Sequence, residues 1–395
     1  MRILHNVPSV ANTSGGRAVA ALGLARAQLE SGLDVAIWCQ GGAAESDESA
    51  QQWQLTGRIT TDPIVGPACI GFCPSGERAA MGARGRAFNI LHQHGIWMAN
   101  SRISNRWRAA QCGAVIIAPH GMLQTEALRR SRWRKRLAML NYERENLRLA
   151  ACLQALCEAE VSSIRRFGLR NPVALIPNSI PQAWVDAKGD AVGFRRRYAL
   201  PSERRLLLYL SRLHPTKGVP LLLEAIAQVR AALGEWLLII AGPDELGHRA
   251  ELEQLVEQLG IANWVRFVGP IFGPAKRDAF AAAEVFVLPS RTEGFGIAVA
   301  EALGAGVPVI TTHGAPWPEL ETEQCGWWVP IDSAAMADAL CGAVRLSAAE
   351  LGAMGQRGQA LISRRYTWSI VAQQSRQLYA WLLGSGDRPD FVTLV

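Results

Sequence analysis

The chain has 395 residues, of which 49% are hydrophobic, and a formal net charge of +7. This length exceeds the usual size of one domain and the apolar content allows large cores, so we expect two folded domains and exclude a disordered protein. No apolar run approaches the roughly 18 residues that span a bilayer, and the first residues are interrupted too early for a signal peptide, so we expect a cytoplasmic protein. Eight scattered cysteines without paired CxxC spacing argue against a zinc site and a disulfide framework, and indicate reduced packing residues.

The positive charge is concentrated in the first half of the chain. The stretch from Arg102 to Arg136 contains nine basic side chains and one acidic side chain, Glu126. Together with Trp97, Trp107 and Trp133, this stretch suits an anionic membrane surface. A solvated helix face that serves solubility is the alternative. Nucleic acid would also attract such a cluster, but no recognition module accompanies it, so we expect no nucleic-acid partner.

The first half begins with a strand, a glycine-containing loop and a helix. Residues 2–7 read as the strand and residues 17–31 as the helix. Gly15 and Gly16, at the end of the loop, would let backbone N–H groups at the helix start approach an anion closely. This corner is therefore a candidate phosphate site. Residues 34–39 read as a second strand, whereas the pattern over 41–86 assigns no elements.

Two further strand ends in this half carry histidines. His92 and His94 lie on the same face of a strand over 89–95, and we interpret them as a hydrogen-bonding pair because no third metal ligand is in view. His120 lies at the carboxyl end of a strand over 114–121, where a functional and a structural role are both open. A strand over 173–177 then stops in a proline-rich segment, which marks a domain boundary.

The second half restarts the alternation of strands and helices. Strands are expected over 205–211, 236–241, 265–269, 285–288 and 307–311, with helices over 219–233 and 248–259. The βαβα order throughout predicts an α/β protein with two doubly wound domains and mainly parallel sheets.

Charged residues collect at the strand ends of this second half. Glu293 follows a buried strand at the sheet edge, and Glu301 lies about two turns into the next helix. Arg212 and Lys217 share a loop beside another helix start, which would suit a diphosphate, although surface charges on a loop are the alternative. Because carboxylates accept hydrogen bonds from hydroxyls, the whole set fits a ligand with sugar hydroxyls at both ends and a diphosphate between them.

Several motifs resemble the family 4 glycosyltransferases of GT-B fold. The segment 289–296 (PSRTEGFG) precedes Glu301 with Glu-x7-Glu spacing, and GVPVI follows at 306–310. The segments 176–178 (IPN), 211–218 (SRLHPTKG) and 241–244 (AGPD) match the same family in the expected order. The resemblance extends over nearly the whole chain.

The resemblance implies two Rossmann-like doubly wound domains that face each other across a deep cleft. Residues 1–180 would bind the acceptor and residues 181–368 the nucleotide sugar. A carboxyl-terminal helix, within about 369–395, would pack back on the first domain, and the last residues, from 384 on, look like a tail.

The resemblance further implies a retaining, metal-independent hexosyltransferase without a cofactor, which uses a nucleotide diphosphate sugar as donor. A saccharide acceptor, linked to lipid because the acceptor domain is basic, would place the protein in exopolysaccharide, capsule or O-antigen synthesis, peripheral on the inner face of the cell membrane. Two rival interpretations remain. A GT-B sugar-nucleotide epimerase or hydrolase would share the nucleotide site, and a non-catalytic nucleotide-sugar-binding protein at the membrane would share the fold.

The family pattern also implies roles for the strand-end residues. Glu293 would contact the hydroxyls of the transferred sugar without acting as a covalent nucleophile, and Glu301 would contact the ribose. Arg212 and Lys217 would hold the diphosphate and stabilise its departure. His120 would lie near the donor sugar and complete the catalytic set.

The resemblance places the remaining donor contacts on loops. Gly15 and Gly16 would approach the phosphates from the first domain. The segment that starts at Gly269 and ends at Gly273 would meet the base, and the donor would also contact four consecutive residues: Gly294, Phe295, Gly296 and Ile297. Many relatives have Arg in place of His120, which leaves the contact of His120 with the donor sugar open. They have Gly in place of Ser179, which suggests a different turn at that position.

Overall fold

The computed structural model describes residues 1–11, 15–40, 42–66 and 72–394. The chain divides into two compact units, Met1–Ser179 with Trp368–Val395, and Ile180–Thr367. The boundaries expected from the sequence lie within two residues of these. Each unit is an α/β structure built on a mainly parallel sheet, so the predicted fold class is confirmed.

The strands found in the described ranges are β1 (Arg2–Val7), β2 (Asp34–Cys39), β3 (Ile59–Thr61), β4 (Ile90–His94), β5 (Ala114–Ala118), β6 (Cys152–Ala155), β7 (Val173–Leu175), β8 (Arg205–Leu210), β9 (Trp236–Ala241), β10 (Val265–Gly269), β11 (Val285–Leu288), β12 (Val309–Thr312), β13 (Gly326–Val329) and β14 (Val392–Thr393). The helices are α1 (Gly16–Glu30), α2 (Ala43–Gln52), α3 (Pro74–Met81), α4 (Ala83–Arg86), α5 (Ala99–Gln111), α6 (Thr125–Arg129), α7 (Arg132–Ala138), α8 (Arg144–Arg148), α9 (Glu158–Arg166), α10 (Ala183–Asp186), α11 (Ala191–Arg197), α12 (Val219–Leu233), α13 (His248–Gln258), α14 (Ala275–Ala282), α15 (Ile297–Gly304), α16 (Glu319–Thr322), α17 (Ser333–Val344), α18 (Ala348–Arg365) and α19 (Trp368–Leu382). A π-helical turn, Met139–Glu143, joins α7 to α8, and a short 3-10 turn, Pro215–Lys217, precedes α12.

The sheet of the first unit has the strand order β14-β7-β6-β5-β4-β1-β2-β3. Its pairs are parallel except for β14 with β7. Helices α1 and α19 cover one face, on which Ile3, Ile90 and Ile116 are buried, while α3 and α5 cover the other face around Leu91. Because both faces are covered, the central strands are buried along nearly their whole length.

The carboxyl-terminal segment belongs to the first unit. Trp368 and Leu378 of α19 are buried in the same core as α1, so the expected return helix is present. The interpretation of the last residues as a tail is wrong for Val392–Thr393, which pair with β7. A strand of two residues is too short to show a hydrophobic period in the sequence, and only its pairing with β7 identifies it.

The sheet of the second unit has the strand order β10-β9-β8-β11-β12-β13, with every described pair parallel. The expected strands of this half correspond to β8 to β12, and the sequence prediction missed β13. Since β8, β11 and β12 are neighbours that run in the same direction, their carboxyl ends lie at one edge of the sheet. The loops that carry the predicted site residues leave from this edge.

Two whole-chain expectations concern membranes and thiols. Among the helices of the described ranges, none is both long enough and apolar enough to cross a membrane. The cysteines that the structure describes are free thiols, and most are buried or half-buried as packing residues, but Cys112 is exposed. Cys69 lies outside the described residues.

Candidate functional site

Loops after β8, β11 and β12 are joined through their backbones at the edge of the second sheet. The Arg291 N–H donates to the Thr216 carbonyl oxygen at 2.8 Å, and the Glu293 N–H donates to a carbonyl of the loop after β12 at 2.7 Å. Gly218 permits the closest approach, because a Cβ atom there would lie 2.0 Å from the carbonyl oxygen of Pro289. This packing fixes the backbone positions from which the functional side chains extend.

Lys217 and Glu293 form an ion pair within this platform. The Lys217 Nζ donates to Glu293 Oε1 at 2.6 Å, and the Ser290 hydroxyl donates to the same oxygen at 2.7 Å. Both charged side chains are only 12% exposed, so the pair is largely shielded from water. The structure thus brings together two residues predicted separately from the sequence and adds Ser290, whose hydroxyl the sequence interpretation did not use.

Arg212 has a different partner. Its Nη1 lies 2.7 Å and 2.9 Å from the two carboxylate oxygens of Glu245, and half of its side chain is exposed. The Tyr209 hydroxyl donates to the Arg212 carbonyl oxygen at 2.8 Å. Burial, reinforced by the charge of Glu293, raises the pKa of Tyr209, so this hydroxyl keeps its proton and holds the loop.

Glu301 is nearly buried in α15 and forms an ion pair with Lys276 of α14. The Lys276 ammonium also lies 5.5 Å from the centroid of the Trp184 ring, which adds a cation–π contact. The sequence identified Glu301 but not Lys276, which lies 25 positions away and carries no motif of its own. A paired carboxylate retains lone pairs for further hydroxyl donors.

The four residues at the start of α15 contribute mainly backbone. The Phe295 ring is buried, 5.0 Å from the Trp317 ring and 5.7 Å from the Tyr366 ring. The Trp317 Nε1 donates to the Phe295 carbonyl oxygen at 2.6 Å. The Phe295 side chain is therefore part of the core, and any donor contact from this residue has to come from its backbone. Gly294, Gly296 and Ile297 line the approach to α15.

Gly269 ends β10 at the same sheet edge. Its carbonyl oxygen accepts from the Gly242 N–H at 2.9 Å, which places it beside the loop after β9. The segment expected to meet the base therefore starts next to the loop that carries Glu245.

In the first unit, Gly15 caps α1 and Gly16 is its first residue. Both are exposed, while residues 12–14 of the predicted phosphate loop lie outside the described residues. Arg17 follows with a half-buried guanidinium that, in the described part of the chain, has no carboxylate partner. Burial lowers the pKa of Arg17, so an anion at this corner would find a poorly solvated cation. The sequence interpretation missed Arg17.

His120 follows β5 in the left-handed backbone conformation, with φ of 53°. The adjacent Gly121 N–H donates to Glu160 Oε1 at 2.6 Å, and the Leu156 N–H donates to Glu160 Oε2 at 2.8 Å. Burial raises the pKa of Glu160 to about 7 despite these two bonds. The Glu160 carboxyl thus anchors the loop that presents His120.

A histidine cluster is formed by His5 within β1, His92 and His94 of β4, and His120 after β5. The His120 Nε2 lies 3.1 Å from His94 Nδ1, and His94 Nε2 lies 2.9 Å from His5 Nδ1. Burial lowers the pKa of His5 to about 4 and that of His120 to about 3, the latter with help from the charge of Arg17. The pKa values of His92 and His94 are also lowered by burial, so all four rings are neutral at physiological pH.

The predicted pairing of His92 with His94 is partly wrong. The two rings lie on one face and stack with centroids 4.6 Å apart, as the spacing predicts, but each forms its hydrogen bonds with other partners. The ligand nitrogens of His5, His92 and His94 lie within 4.8 Å of one another, a grouping that could hold a metal ion. Since both nitrogens of His5 and of His94 are already hydrogen-bonded, a metal would have to displace those bonds.

The basic stretch is less uniform than the sequence suggests. Trp107 is fully buried in the core, so its expected role at a membrane surface is wrong. Arg106 and Arg108 of α5 form ion pairs with Glu77 and Glu145. The remaining exposed cations of the stretch lie on α7 and just before it, and the exposed Trp133 lies among them: Arg129, Arg130, Arg132, Arg134 and Arg136.

Comparison with known sequences identifies the two units separately. Residues 15–179 match the family model described as glycosyl transferase 4-like domain. Residues 204–345 match the model described as glycosyl transferases group 1.

Two kinds of curated relative are similar to parts of the chain. The phosphatidyl-myo-inositol mannosyltransferase of Mycobacterium leprae is 31% identical over 218 residues, 54% of this chain and 54% of that protein. The D-inositol 3-phosphate glycosyltransferase of Thermomonospora curvata is 39% identical over 130 residues, 31% of this chain and 30% of that protein. The chain thus spans about half the length of the first relative and less than a third of the second.

Solved structures resemble the chain over nearly its full length. Anabaena HepE, in complex with UDP and glucose, has a TM-score of 0.78 at 18% identity and covers 96% of this chain and 100% of its own. Sucrose-phosphate synthase from Thermosynechococcus elongatus has a TM-score of 0.75 at 19% identity and covers 98% of this chain and 100% of its own. At such identities the likeness concerns the fold, and together with the two family matches it shows that this chain belongs to the group 1, GT4-like glycosyltransferases of GT-B fold.

Proposed function

We propose that this protein transfers a hexose-type sugar, with retention of configuration, from a nucleotide diphosphate sugar to a hydroxyl of a saccharide acceptor. We propose further that the acceptor is lipid-linked and that the reaction belongs to exopolysaccharide, capsule or O-antigen synthesis at the inner face of the cell membrane. The observation that carries the proposal is the shielded Lys217–Glu293 pair with Ser290 at the edge of the second sheet. This group places one cation beside carboxylate oxygens that accept hydrogen bonds from sugar hydroxyls.

The placement of the charges supports a donor that spans this sheet edge. Lys217 and the half-exposed Arg212 supply positive charge for the diphosphate, and Glu293 accepts hydrogen bonds from the transferred sugar. Glu301, paired with Lys276, accepts from the ribose. Two similar proteins support such a donor. The mycobacterial relative is named as a mannosyltransferase, and HepE binds UDP.

The reaction follows from where charge develops. As the bond from the sugar to the diphosphate breaks, negative charge grows on the leaving phosphate oxygen, and the two cations stabilise it. The acceptor hydroxyl attacks the anomeric carbon on the face from which the leaving group departs, and its proton passes to the departing phosphate. The side chains named here supply these steps without a metal ion or a cofactor, and Glu293 positions the donor rather than forming a covalent bond.

Donor binding is the first test of this proposal. Thermal shift is measured with UDP-, GDP-, ADP- and dTDP-sugars, and the preferred donor should raise Tm because it binds only the folded protein. At about 100 times its Kd a donor adds roughly 2.7 kcal/mol of stability. Nucleotide release is then measured with the selected donor, with and without saccharide and lipid-linked saccharide acceptors, before and after treatment with a chelator.

The acceptor dependence separates the rival functions. Release that requires the acceptor, gives a product with the donor's anomeric configuration and survives chelation supports the proposal. Release without an acceptor indicates a hydrolase, and conversion of the donor to an isomer indicates an epimerase. A Tm that no nucleotide sugar changes would contradict all of these functions.

A surface of α7 and its neighbours supports the proposed membrane contact. A groove of about 570 Å³ is lined by apolar side chains with cations at its rim: Trp97, Leu128, Arg132, Lys135, Arg136, Met139, Leu140 and Phe167. Trp133 is 63% exposed and Leu140 is 81% exposed, values unusual for large apolar side chains. Lys135 donates to the Ala127 and Arg130 carbonyl oxygens, so its ammonium serves the loop between α6 and α7.

Replacing Arg132, Arg134 and Arg136 with alanine should weaken binding to anionic vesicles roughly a hundredfold, because each cation adds about 1 kcal/mol near such a surface. Sedimentation with phosphatidylglycerol vesicles measures this effect, and higher salt should reduce it. The matched control replaces three exposed arginines of the second unit, Arg196, Arg197 and Arg230, and removes the same charge. Equal sedimentation of the wild type and both triple variants would instead indicate a face that serves solubility.

A further inference from the structure

The histidine cluster belongs to a longer line of buried hydrogen bonds. His5 Nε2 lies 2.8 Å from Gln28 Oε1, and Gln28 Nε2 lies 2.9 Å from the Tyr379 hydroxyl. The same hydroxyl lies 2.8 Å from His92 Nδ1. The line therefore runs from His92 through Tyr379, Gln28, His5 and His94 to His120. Its members come from β1, β4, α1, α19 and the loop after β5.

The direction of these hydrogen bonds is fixed at Gln28. The Gln28 Nε2 donates to the Tyr379 hydroxyl, and Gln28 Oε1, which can only accept, lies 2.8 Å from His5 Nε2. His5 Nε2 consequently carries the hydrogen, and His5 Nδ1, in a neutral ring, is an acceptor.

Each later assignment follows from the one before it. The Tyr379 oxygen accepts from Gln28 Nε2, so the Tyr379 hydroxyl donates its own hydrogen to His92 Nδ1. Gln28 Oε1 then accepts from His5 Nε2, which leaves His5 Nδ1 to accept from His94 Nε2.

The last link leads to the predicted donor-sugar contact. His94 Nδ1, bare in the neutral ring, accepts from His120 Nε2. His120 Nδ1 therefore carries no hydrogen, and no protein group in the described part of the chain donates to it.

We propose that His94, His5, Gln28 and Tyr379 are positioning residues that hold His120 in the Nε2–H tautomer, so that Nδ1 accepts a hydrogen bond from a hydroxyl of the donor sugar. This inference rests on the proposed function, because it assigns the bare nitrogen to the donor. The line fixes the ring orientation and the tautomer together, as an outer hydrogen-bond partner does for a histidine metal ligand. The Arg17 cation beside His120 disfavours the imidazolium, which could not accept.

The tautomer is measured directly by two-dimensional ¹⁵N–¹H NMR of protein labelled at its seven histidines, since protonated and bare ring nitrogens differ strongly in chemical shift. The His120 signals are assigned from their absence in His120→Asn. We expect Nε2–H with a bare Nδ1 in the wild type. If wild-type His120 is found as Nδ1–H or as the imidazolium, the proposal is overturned. This outcome needs no variant and does not depend on the transfer activity.

Tyr379→Phe removes the hydroxyl that accepts from Gln28 Nε2, so the Gln28 amide loses the bond that fixes its orientation. His120 should then give signals of both tautomers, and kcat/KM for the donor should fall about tenfold, as for the loss of one hydrogen bond. The matched control is Tyr142→Phe, which removes a buried hydroxyl that donates to the Trp97 carbonyl at 3.1 Å outside the line, and it should change neither property. An unchanged tautomer and unchanged kcat/KM in Tyr379→Phe would contradict the proposal. An Nε2–H His120 in a wild type that transfers no sugar would support the tautomer assignment and contradict the proposed function.

Discussion

Lys217→Ala should lower kcat for sugar transfer by roughly a thousandfold, the effect of removing a preorganised group that stabilises charge on a leaving oxygen. Lys217 is shielded at 12% exposure, so its charge acts in surroundings where water screens it poorly. Arg212 is half exposed and already paired with Glu245, so it cannot replace the lost ammonium fully. Initial rates at saturating donor measure the change.

The same substitution should also destabilise the second unit. It leaves Glu293 shielded without its cation, supported by the Ser290 hydroxyl at 2.7 Å. Breaking a shielded ion pair from one side costs about 3 kcal/mol, which urea unfolding detects. A slow variant could therefore be slow because it is partly unfolded.

A double variant separates these two causes. Lys217→Ala with Glu293→Gln also removes the carboxylate charge that has lost its cation, so most of the stability should return while turnover stays low. Recovery of turnover together with stability would show that Lys217 acts on the fold alone. Turnover of the single variant within about tenfold of wild type would contradict the electrostatic role of Lys217.

The order of elements and the sheet type could be predicted from the sequence where strands are buried on both faces. Apart from Arg205 at the start of β8, the strands β8, β9 and β11 consist of apolar residues bounded by turns or proline, so their pattern alone identifies them. Residues 42–66 and 72–86 resisted assignment because their elements are short and polar. The β3 strand has three residues, and α2 has a polar sequence with few buried side chains.

The individual site residues could also be predicted, but not the pairs they form. Lys217 and Glu293 are 76 positions apart, and their contact depends on which strands lie next to each other. His5 lies in β1 directly opposite His92 in β4, a register that no local pattern encodes. The spacing of His92 and His94 predicts a common face, whereas their hydrogen-bond partners come from β1, α19 and the loop after β5.

Gly218→Ala should destabilise the second unit by about 4 kcal/mol, because it combines a left-handed backbone with a steric clash. Gly218 has φ of 71° and ψ of 21° and caps α12. A Cβ atom would lie 2.0 Å from the Pro289 carbonyl oxygen, so the loops after β8 and β11 would have to separate. Thr216 and Lys217 precede this residue, and their bonds to Arg291 and Glu293 would lengthen.

Gly247→Ala is the matched control for the backbone contribution. Gly247 caps α13 with φ of 75° and ψ of 17°, nearly the same conformation, and an added Cβ would have no atom within 4 Å. This variant should lose about 1 kcal/mol in urea unfolding and keep its turnover. Gly218→Ala should in addition lose about a hundredfold in kcat, because a shift of about 1 Å at Lys217 misplaces the charge on the leaving group. Equal losses of stability and turnover in the two variants would mean that the contact between the β8 and β11 loops does not set the geometry of the site.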